Sequence, residues 1–265
     1  MIPRDKPLFV HSDVGRGLLA ARRAGAVVKS AHVQESLLGF LATLSDAGED
    51  GLIFPAFNYD YGNTRLFDVD IDPVQVGALP EWIRRCGKFR RTEQPFFSFL
   101  STIDLEVSGR VKSDPFDSTS GFQWLIDHDA TLLLFGATIA SLTFIHYVEQ
   151  MCGKPVYRYD KSFPGQIVTQ GQSRSCDLVM HVRPRGLRLE YDWSRLEKDL
   201  VMAGLMRTSE GMPGVTWMSA RSILDFWAEK LSDDPFYLLD AQSRSTFSSV
   251  TDGGGRRVQL EDFEK

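Results

Sequence analysis

Three side chains able to take part in proton transfer recur at three-residue intervals in the segment TFIHYVE: Thr143, His146 and Glu149. Residues three apart on a helix lie on nearly the same face, so the three groups are predicted to project together. The cationic form of a histidine near the unpaired amides of a helix start is disfavoured, which leaves the ring available as a base near neutral pH. The spacing predicts a general base at His146; the alternative is a histidine with a purely structural role.

Two more carboxylates, Glu190 and Asp192, precede a predicted helix start at Ser194. Either acid is a candidate to orient His146 through the ring nitrogen that faces away from the substrate. The alternative is that Asp192 only adds negative charge at a helix amino terminus. A metal site on His146 and Glu149 would need a further ligand, and none is recognisable nearby, so no metal is predicted.

A cluster of five cations lies within eight positions of this acidic chain. Its members are Arg84, Arg85, Lys88, Arg90 and Arg91. Guanidinium groups match phosphate oxygens in pairs, so the cluster suits a phosphorylated ligand. Cations at a helix end also oppose the helix dipole when no ligand is present, and both interpretations stay open.

Gly15 and Gly17 follow the first predicted strand and imitate the glycine-rich loop of dinucleotide-binding proteins. Such a loop also needs a second strand that ends in an acid about twenty residues further on, whereas Glu35 lies in a predicted helix. The two glycines are therefore predicted to form a turn. An NAD(P)-dependent oxidoreductase is retained as an alternative function.

The elements that hold these groups are predicted from hydrophobic periodicity. Strands are predicted at 8–10, 52–54 and 131–135, an extended segment at 96–103, and helices at 33–44, 78–85, 121–126, 143–151, 194–203 and 219–231. Alternating strands and helices indicate an α/β layer fold in which ligands gather at the carboxyl ends of strands. Residues 156–189 are predicted to form a β-rich subdomain or an insertion. We expect one domain over 1–242 and a loose polar tail over 243–265.

Composition argues against several classes of protein. Lys and Arg number 30 against 35 Asp and Glu in 265 residues, so the net charge of -5 does not favour binding to nucleic acid. No apolar run reaches the roughly 18 residues of a membrane span, and the amino terminus lacks a signal-peptide pattern. We therefore expect a cytoplasmic protein with no membrane partner. Cys86, Cys152 and Cys176 are odd in number and widely spaced, which predicts free thiols.

Six segments, taken in order and spacing, resemble the aminoglycoside N(3)-acetyltransferase family, the antibiotic N-acetyltransferase superfamily. They are LFVHSD (8–13), LIFPAF (52–57), VGALPEWIRR (76–85), RRTEQPFFSF (90–99), LLLFGATIASLTFIHYVE (132–149) and YDWSRLEKDLVMAGL (191–205). The resemblance implies a three-layer α/β/α fold around a mixed central sheet with a small β-rich insertion, distinct from the GNAT fold. It also implies transfer of an acetyl group from acetyl-CoA, as co-substrate, to an amine of an amino sugar or aminoglycoside.

Carried onto this sequence, the resemblance makes His146 the general base, followed by Glu149, with Asp192 or Glu190 holding the ring. Thr143, one turn before the base, is our candidate hydroxyl for the oxyanion that develops on the thioester. We expect direct transfer within a ternary complex.

The donor side is also inferred from the resemblance. It places Ser12, Asp13 and Ser98 along the pantetheine and phosphate channel of CoA. Arg90 and Arg91 are expected near the 3′-phosphate of CoA, where guanidinium groups would offset its charge.

The acceptor class is predicted from one departure from the family pattern. Resistance enzymes carry a histidine before the proline of the segment that matches 91–98, where this chain reads RTEQPFFS. This variant resembles family members of surface-polysaccharide and other amino-sugar pathways, which implies an amino sugar, free or nucleotide-linked, as acceptor. The first alternative is an aminoglycoside antibiotic and a role in resistance, and another is a catalytically idle relative that binds CoA or a sugar. A monomer or homodimer is expected.

Overall fold

A computed structural model describes residues 1–105, 114–153 and 155–263 of the chain. Within these residues the strands are β1 (Leu8–Ser12), β2 (Leu52–Pro55), β3 (Leu66–Asp68), β4 (Arg90–Arg91), β5 (Phe99–Ser101), β6 (Thr131–Phe135), β7 (Tyr159–Thr169), β8 (Gln172–Val182), β9 (Arg207–Thr208) and β10 (Val215–Ser219). The α-helices are α1 (Val14–Arg23), α2 (Val33–Ala42), α3 (Tyr61–Thr64), α4 (Ala78–Arg85), α5 (Gly121–Asp127), α6 (Phe144–Met151), α7 (Trp193–Met202), α8 (Ala220–Asp233) and α9 (Ala241–Val250).

Three strands form the parallel centre of a mixed sheet and are buried except for Ser12, the last residue of β1, which is partly exposed. The order of the seven strands is β4-β5-β2-β1-β6-β10-β9. β1 runs parallel to β2 and β6, while β5 and β10 flank this centre in the antiparallel direction. Because the three parallel strands end at the same edge of the sheet, the residues that follow them are brought together there.

Side chains that alternate along the central strands divide the apolar interior into two layers. Phe9, Ile53 and Leu132 face a core completed by α5, α6, α7 and α8. Leu8 and Leu52 face the opposite core, which is completed by α1, α2 and α4. Helices therefore cover both faces of a mixed sheet, and the predicted three-layer α/β/α fold is confirmed.

A long hairpin forms a second, smaller sheet. β7 and β8 pair along eleven residues each, and β3 joins β7 in parallel. The connecting residues Gln170 and Gly171 both have positive φ values, 51° and 73°, as a two-residue hairpin turn requires. The hairpin lies inside the predicted β-rich segment 156–189. Its two open ends carry Arg158 and His181 toward α6.

The predicted glycine turn after β1 is instead the first helix. Asp13 caps α1 by accepting a hydrogen bond from the Arg16 amide at 2.9 Å. Gly17 packs against the Phe135 ring, where a Cβ atom would lie only 2.5 Å from a ring carbon. The dinucleotide-loop interpretation is therefore wrong, because the glycine permits close helix–strand packing and the Asp13 side chain occupies the helix cap.

Two elements near the carboxyl end differ from expectation. β10 was not predicted, although it pairs with all of β6. The prediction of a loose tail is wrong for residues 243–250. These residues belong to α9, which is capped by Asp240 and buries Phe247 against Tyr157 and Phe236. Phe247 and Val250 are the only large apolar side chains of this polar helix, which gives too weak a periodic signal to be recognised.

The cysteines and the lengths of the helices also bear on what the sequence predicted. Cys86, Cys152 and Cys176 are free thiols, as predicted. Among the described residues, none of the helices combines the length and apolar character needed to span a bilayer.

Gly17→Ala is expected to destabilise the protein, because the added methyl group would force the Phe135 ring to move. Overpacking of this kind costs about 1–3 kcal/mol. The matched control is Gly39→Ala in α2, where a Cβ meets no atom within 4 Å and replacing glycine in a helix gains about 0.5–1 kcal/mol. Urea unfolding measures both changes. Equal changes of the same sign would contradict the packing described for α1.

Candidate active site

The carboxylate of Glu149 lies at the centre of a buried polar cluster. Thr143 stands at the amino-terminal cap of α6, and the helix brings His146 and Glu149 onto one face, as the spacing predicted. His146 Nδ1 lies 3.1 Å from Glu149 Oε2, and the Glu149 side chain has no solvent-exposed surface. A buried carboxylate is costly unless its oxygens are paired, so the surrounding groups decide whether it stays ionised.

Both oxygens of Glu149 are paired by groups from outside α6. Arg158 Nε lies 3.1 Å from Oε2. The hydroxyl groups of Tyr157 and Tyr191 donate to Oε1 at 2.8 and 2.7 Å. His181 Nε2 lies 3.6 Å from Oε2, within ion-pair range but beyond a hydrogen bond. Chain segments before β7, at the end of β8 and before α7 therefore meet on a single carboxylate.

The electrostatic balance favours an ionised Glu149 and a cationic Arg158. Burial by itself would raise the pKa of Glu149, but the nearby guanidinium of Arg158 and the hydrogen bond from His146 outweigh burial and hold that pKa well below its ordinary value. Burial would lower the pKa of Arg158, yet the Glu149 charge raises it above its usual value. Burial also raises the pKa values of Tyr157 and Tyr191, so both phenols remain protonated donors.

His146 presents one ring nitrogen to the protein and the other away from this cluster. In the described part of the chain its hydrogen bonds run through Nδ1, to Glu149 at 3.1 Å and to the Tyr191 hydroxyl at 3.2 Å, and the Arg158 guanidinium lies 3.5 Å from the same nitrogen. The side chain is 23% exposed. Burial, opposed by the Glu149 hydrogen bond and aided by the Arg158 charge, lowers the pKa of His146 to about 4. The neutral form is favoured as predicted, but the cause is burial and Arg158 rather than the helix start.

The predicted carboxylate partners of His146 lie elsewhere, which corrects the sequence interpretation. Asp192 caps α7, accepting from the Arg195 amide at 3.1 Å. Glu190 is exposed, and its backbone amide donates to Ser243 Oγ. The helix accordingly starts after Asp192 rather than at Ser194. An acid three residues along the same helix reaches Nδ1 without help from a second segment, so Glu149 takes this place.

The cluster also contains a set of metal-ligating groups. In the described residues, donor atoms of His146, Glu149 and His181 lie within 4.8 Å of one another. His181 is the third ligand that sequence spacing did not reveal, because it comes from the distant end of β8. Arg158 Nε contacts the same Glu149 oxygen, so a guanidinium already balances the charge that a metal ion would balance.

A cavity of about 280 Å³ adjoins the start of α6 at the carboxyl ends of β1 and β2. It is lined by Pro55, Phe57 and Tyr59 on its apolar side and by His11, Ser12 and Thr143 on its polar side. In the described residues, His11 Nε2, Ser12 Oγ and Thr143 Oγ1 are buried without a hydrogen-bond partner. Buried polar atoms are normally paired, so this cavity suits a ligand with polar atoms.

The residues predicted to bind the acyl donor, CoA, lie in two different places. Only Ser12 lines this cavity, since Asp13 is used as a helix cap. Ser98 Oγ donates to the Ala56 carbonyl at 2.6 Å and accepts from Arg91 Nε at 3.0 Å. Arg91 also donates to the Asp72 carbonyl and lies over the Phe67 ring. Ser98 and Arg91 thus brace the chain that follows β2.

Other members of the predicted basic cluster have protein partners or face solvent. Arg84 and Arg85 both pair with Glu81, and Lys88 pairs with Glu49. Arg90 is exposed. The solvated helix end, one of the two interpretations left open, therefore describes most of the cluster.

Sequence reasoning missed the groups that converge on Glu149 and one wall of the cavity. These are His11, Tyr157, Arg158, His181 and Tyr191. No spacing rule connects them, because they come from β1, the segment before β7, β8 and the segment before α7, which only the tertiary fold brings together. One signal was the arginine between tyrosines in VYRYD at 156–160, and His11 and Tyr191 also lie in the family-like segments at 8–13 and 191–205.

The family model described as aminoglycoside 3-N-acetyltransferase matches residues 54–232, more than half of the chain. The chain therefore belongs to this family, a family of N-acyltransferase enzymes, and the resemblance drawn from the sequence is confirmed. No curated protein gives a significant match in sequence.

Solved structures share the fold at low sequence identity. The apoenzyme of aminoglycoside acetyltransferase AAC(3)-IVa is 18% identical with a TM-score of 0.64, covering 90% of this chain and 86% of that one. AAC-IIIb in binary complex with CoASH is 16% identical with a TM-score of 0.65 over 88% and 91% of the two chains. The YokD protein from Bacillus subtilis is 14% identical with a TM-score of 0.63 over 87% and 88%. These matches agree with the three-layer architecture.

Glu149→Gln is expected to lower the free energy of unfolding by about 3–5 kcal/mol, because it leaves the buried Arg158 cation without its counter-charge. The matched control is Glu190→Gln, since this exposed acid was the alternative partner of His146 and its loss should cost less than about 0.5 kcal/mol. Urea denaturation at pH 7 compares the two variants. Similar losses in both would show that Glu149 does not compensate Arg158.

The partly buried His146 ring, which is neutral near pH 7, should make the native state sensitive to acid. Its pKa in the folded protein is about 4 against 6.5 for an unperturbed ring, so the unfolded chain binds a proton in this window and the native chain does not. Stability is therefore fully present above pH 6.5 and falls toward pH 4, by up to about 3 kcal/mol from this residue. The difference between wild type and His146→Gln, measured by urea unfolding from pH 7 to pH 4, should narrow or reverse as pH falls. A difference independent of pH would contradict a buried neutral ring.

Proposed function

We propose that the protein is an acetyl-CoA-dependent N-acetyltransferase with His146 as general base. The observation that carries this proposal is the anchoring of His146 Nδ1 by a fully buried Glu149, which leaves Nε2 for a substrate. Membership of the aminoglycoside 3-N-acetyltransferase family supports the reaction class.

The base is unprotonated at neutral pH and therefore has a free site for a proton. The ring is neutral because its pKa lies near 4, and the hydrogen bond to Glu149 places the ring proton on Nδ1. Nε2 accepts a proton from the amine as nitrogen bonds to the acyl carbon, and the bond from carbon to sulfur then breaks to release the CoA thiolate. The imidazolium that forms is stabilised by Glu149 and can return the proton to the thiolate.

The acyl donor is assigned to the cavity beside α6. Thr143 Oγ1 and Ser12 Oγ, both without a partner among the described residues, supply hydrogen-bonding groups for the donor amides and for the oxyanion of the thioester. His11 Nε2 adds a third such group from the end of β1. A neighbour in the same fold, AAC-IIIb, was solved in complex with CoASH, which agrees with acetyl-CoA as co-substrate.

The acceptor is proposed to be an amine on an amino sugar, with an aminoglycoside as the alternative. Phe97 and Tyr191 flank His146, with ring centroids 6.1 Å from its ring on each side. Aromatic faces attract a substrate ammonium group before it loses its proton. A mutant of the related AAC(3)-IVa was solved in complex with gentamicin and with apramycin, which keeps polyamine antibiotics among the acceptors to be tested. A cytoplasmic location and a monomer or homodimer remain predictions.

His146→Gln should reduce kcat/KM for acetyl transfer by about 10²–10⁴-fold, the usual contribution of a general base. The assay follows CoA thiol released from acetyl-CoA with glucosamine, gentamicin, apramycin and sisomicin as acceptors. The control Asp192→Asn should retain most of the activity, because Asp192 caps α7 instead of contacting the base. Full activity in His146→Gln, or a loss confined to Asp192→Asn, would overturn the assignment of the base.

A further inference from the structure

One wall of the cavity beside α6 is made by Phe57, whose side chain is fully buried. The Phe57 ring packs edge-on against Phe97, with ring centroids 5.1 Å apart. The Phe97 ring in turn lies 6.1 Å from the His146 ring, measured between centroids. Phe57 therefore stands at the part of the cavity wall that leads toward the proposed base.

The position of the base determines which part of a donor lies near Phe57. The reacting carbonyl must come within about 3–3.5 Å of the amine that His146 deprotonates. Thr143 lines the same cavity at the start of α6, and its hydroxyl has no partner among the described residues. The acyl group is thus expected between Thr143 and Phe57. Tyr59, which is 49% exposed, lies on the open side of the cavity, where the pantetheine arm would leave.

The Phe57 ring is held in place by its neighbours. The rings of Phe99 and Tyr59 lie 6.4 and 6.5 Å from it, measured between centroids. The backbone carbonyl of Phe57 accepts from the Gln75 amide at 3.0 Å. A close-packed ring whose backbone is also bonded yields to a larger ligand only if its neighbours are displaced, which costs free energy.

The residue before Phe57 is clamped as well. The Ala56 carbonyl accepts from the Arg91 guanidinium and from Ser98 Oγ, the latter at 2.6 Å. The Ala56 amide donates to the Ser98 carbonyl at 2.7 Å. Arg91 also donates to the Asp72 carbonyl at 2.6 Å, which joins this point to a later part of the chain. The backbone that carries the Phe57 ring is therefore fixed on both sides of it.

We propose that Phe57 determines the length of the acyl group: its fixed ring ends the acyl pocket and selects acetyl-CoA against acyl-CoA thioesters of longer chain. This inference rests on the proposed function, because it requires the acyl donor to occupy the cavity beside α6. A chain lengthened by methylene groups would overlap the ring. One extra methylene in an apolar pocket changes kcat/KM by about 10–200-fold.

The test compares acetyl-CoA with butyryl-CoA in wild type and in Phe57→Leu, with a saturating amine acceptor. Wild type is expected to prefer acetyl-CoA by about 10²-fold or more in kcat/KM, and Phe57→Leu should reduce this preference by about tenfold, mainly through faster use of butyryl-CoA. Phe57→Leu is used before Phe57→Ala because it leaves a smaller void in the core. Partial unfolding of a variant lowers both rates equally and leaves their ratio unchanged.

Phe99→Leu is the matched control. Phe99 is as fully buried as Phe57 and packs against it, but it is not among the described residues that line the cavity. Phe99→Leu should therefore keep the preference of the wild type. An equal use of both thioesters by wild type, an unchanged preference in Phe57→Leu, or the same loss of preference in Phe99→Leu would overturn the inference.

Calorimetric titration of both thioesters in the absence of an amine separates this inference from the proposed function. Tighter binding of butyryl-CoA by Phe57→Leu than by wild type supports the acyl pocket even when no amine is acetylated, and then only the acyltransferase proposal fails. Acetylation by wild type, combined with butyryl-CoA binding that Phe57→Leu does not change, overturns only the role of Phe57. Failure of wild type to bind acetyl-CoA overturns the donor assignment and this inference together.

Discussion

The pairing of a buried carboxylate, Glu149, is the interaction on which the rest of the site depends. One oxygen accepts from two phenols and the other meets Arg158 and His146. An ionised carboxylate cannot remain in an apolar interior without such partners, so hairpin, helix and loop must all dock before the charge is tolerated. The site therefore forms only when the β7–β8 hairpin, α6 and the segment before α7 are all in place.

The same burial determines the proposed chemistry of His146. A solvated histidine would be partly protonated near neutral pH, whereas removal from water and the Arg158 charge lower the pKa of His146 to about 4. Glu149 opposes this shift only in part, and it orients the ring by holding Nδ1. A neutral ring with one nitrogen fixed is what a proton acceptor requires. The contacts that hold the buried Glu149 charge therefore also keep His146 neutral and oriented.

The position of the cavity follows from the sheet. Parallel strands β1 and β2 end beside the start of α6, so His11 and Ser12 meet Thr143 around one space. Their polar atoms have no partner within the described ranges, whereas both oxygens of Glu149 are paired. The cluster around Glu149 thus holds the base, and the cavity at the start of α6 supplies the groups proposed to meet the donor.

Sequence alone predicted the central strands, the helix that carries Thr143, His146 and Glu149, and the family, because these depend on local periodicity and on ordered motifs. It placed the orienting acid at Asp192 or Glu190, since a sequence shows which acids are near a helix start but not which one approaches a ring. It also interpreted Gly15 and Gly17 as a turn, because only the Phe135 ring explains a helical glycine at 17. The meeting of Arg158, His181 and Tyr191 on Glu149 was decided by tertiary structure. Arg158, His181 and Tyr191 lie 9, 32 and 42 residues after Glu149, and their contacts with it arise from docking, which no local pattern encodes.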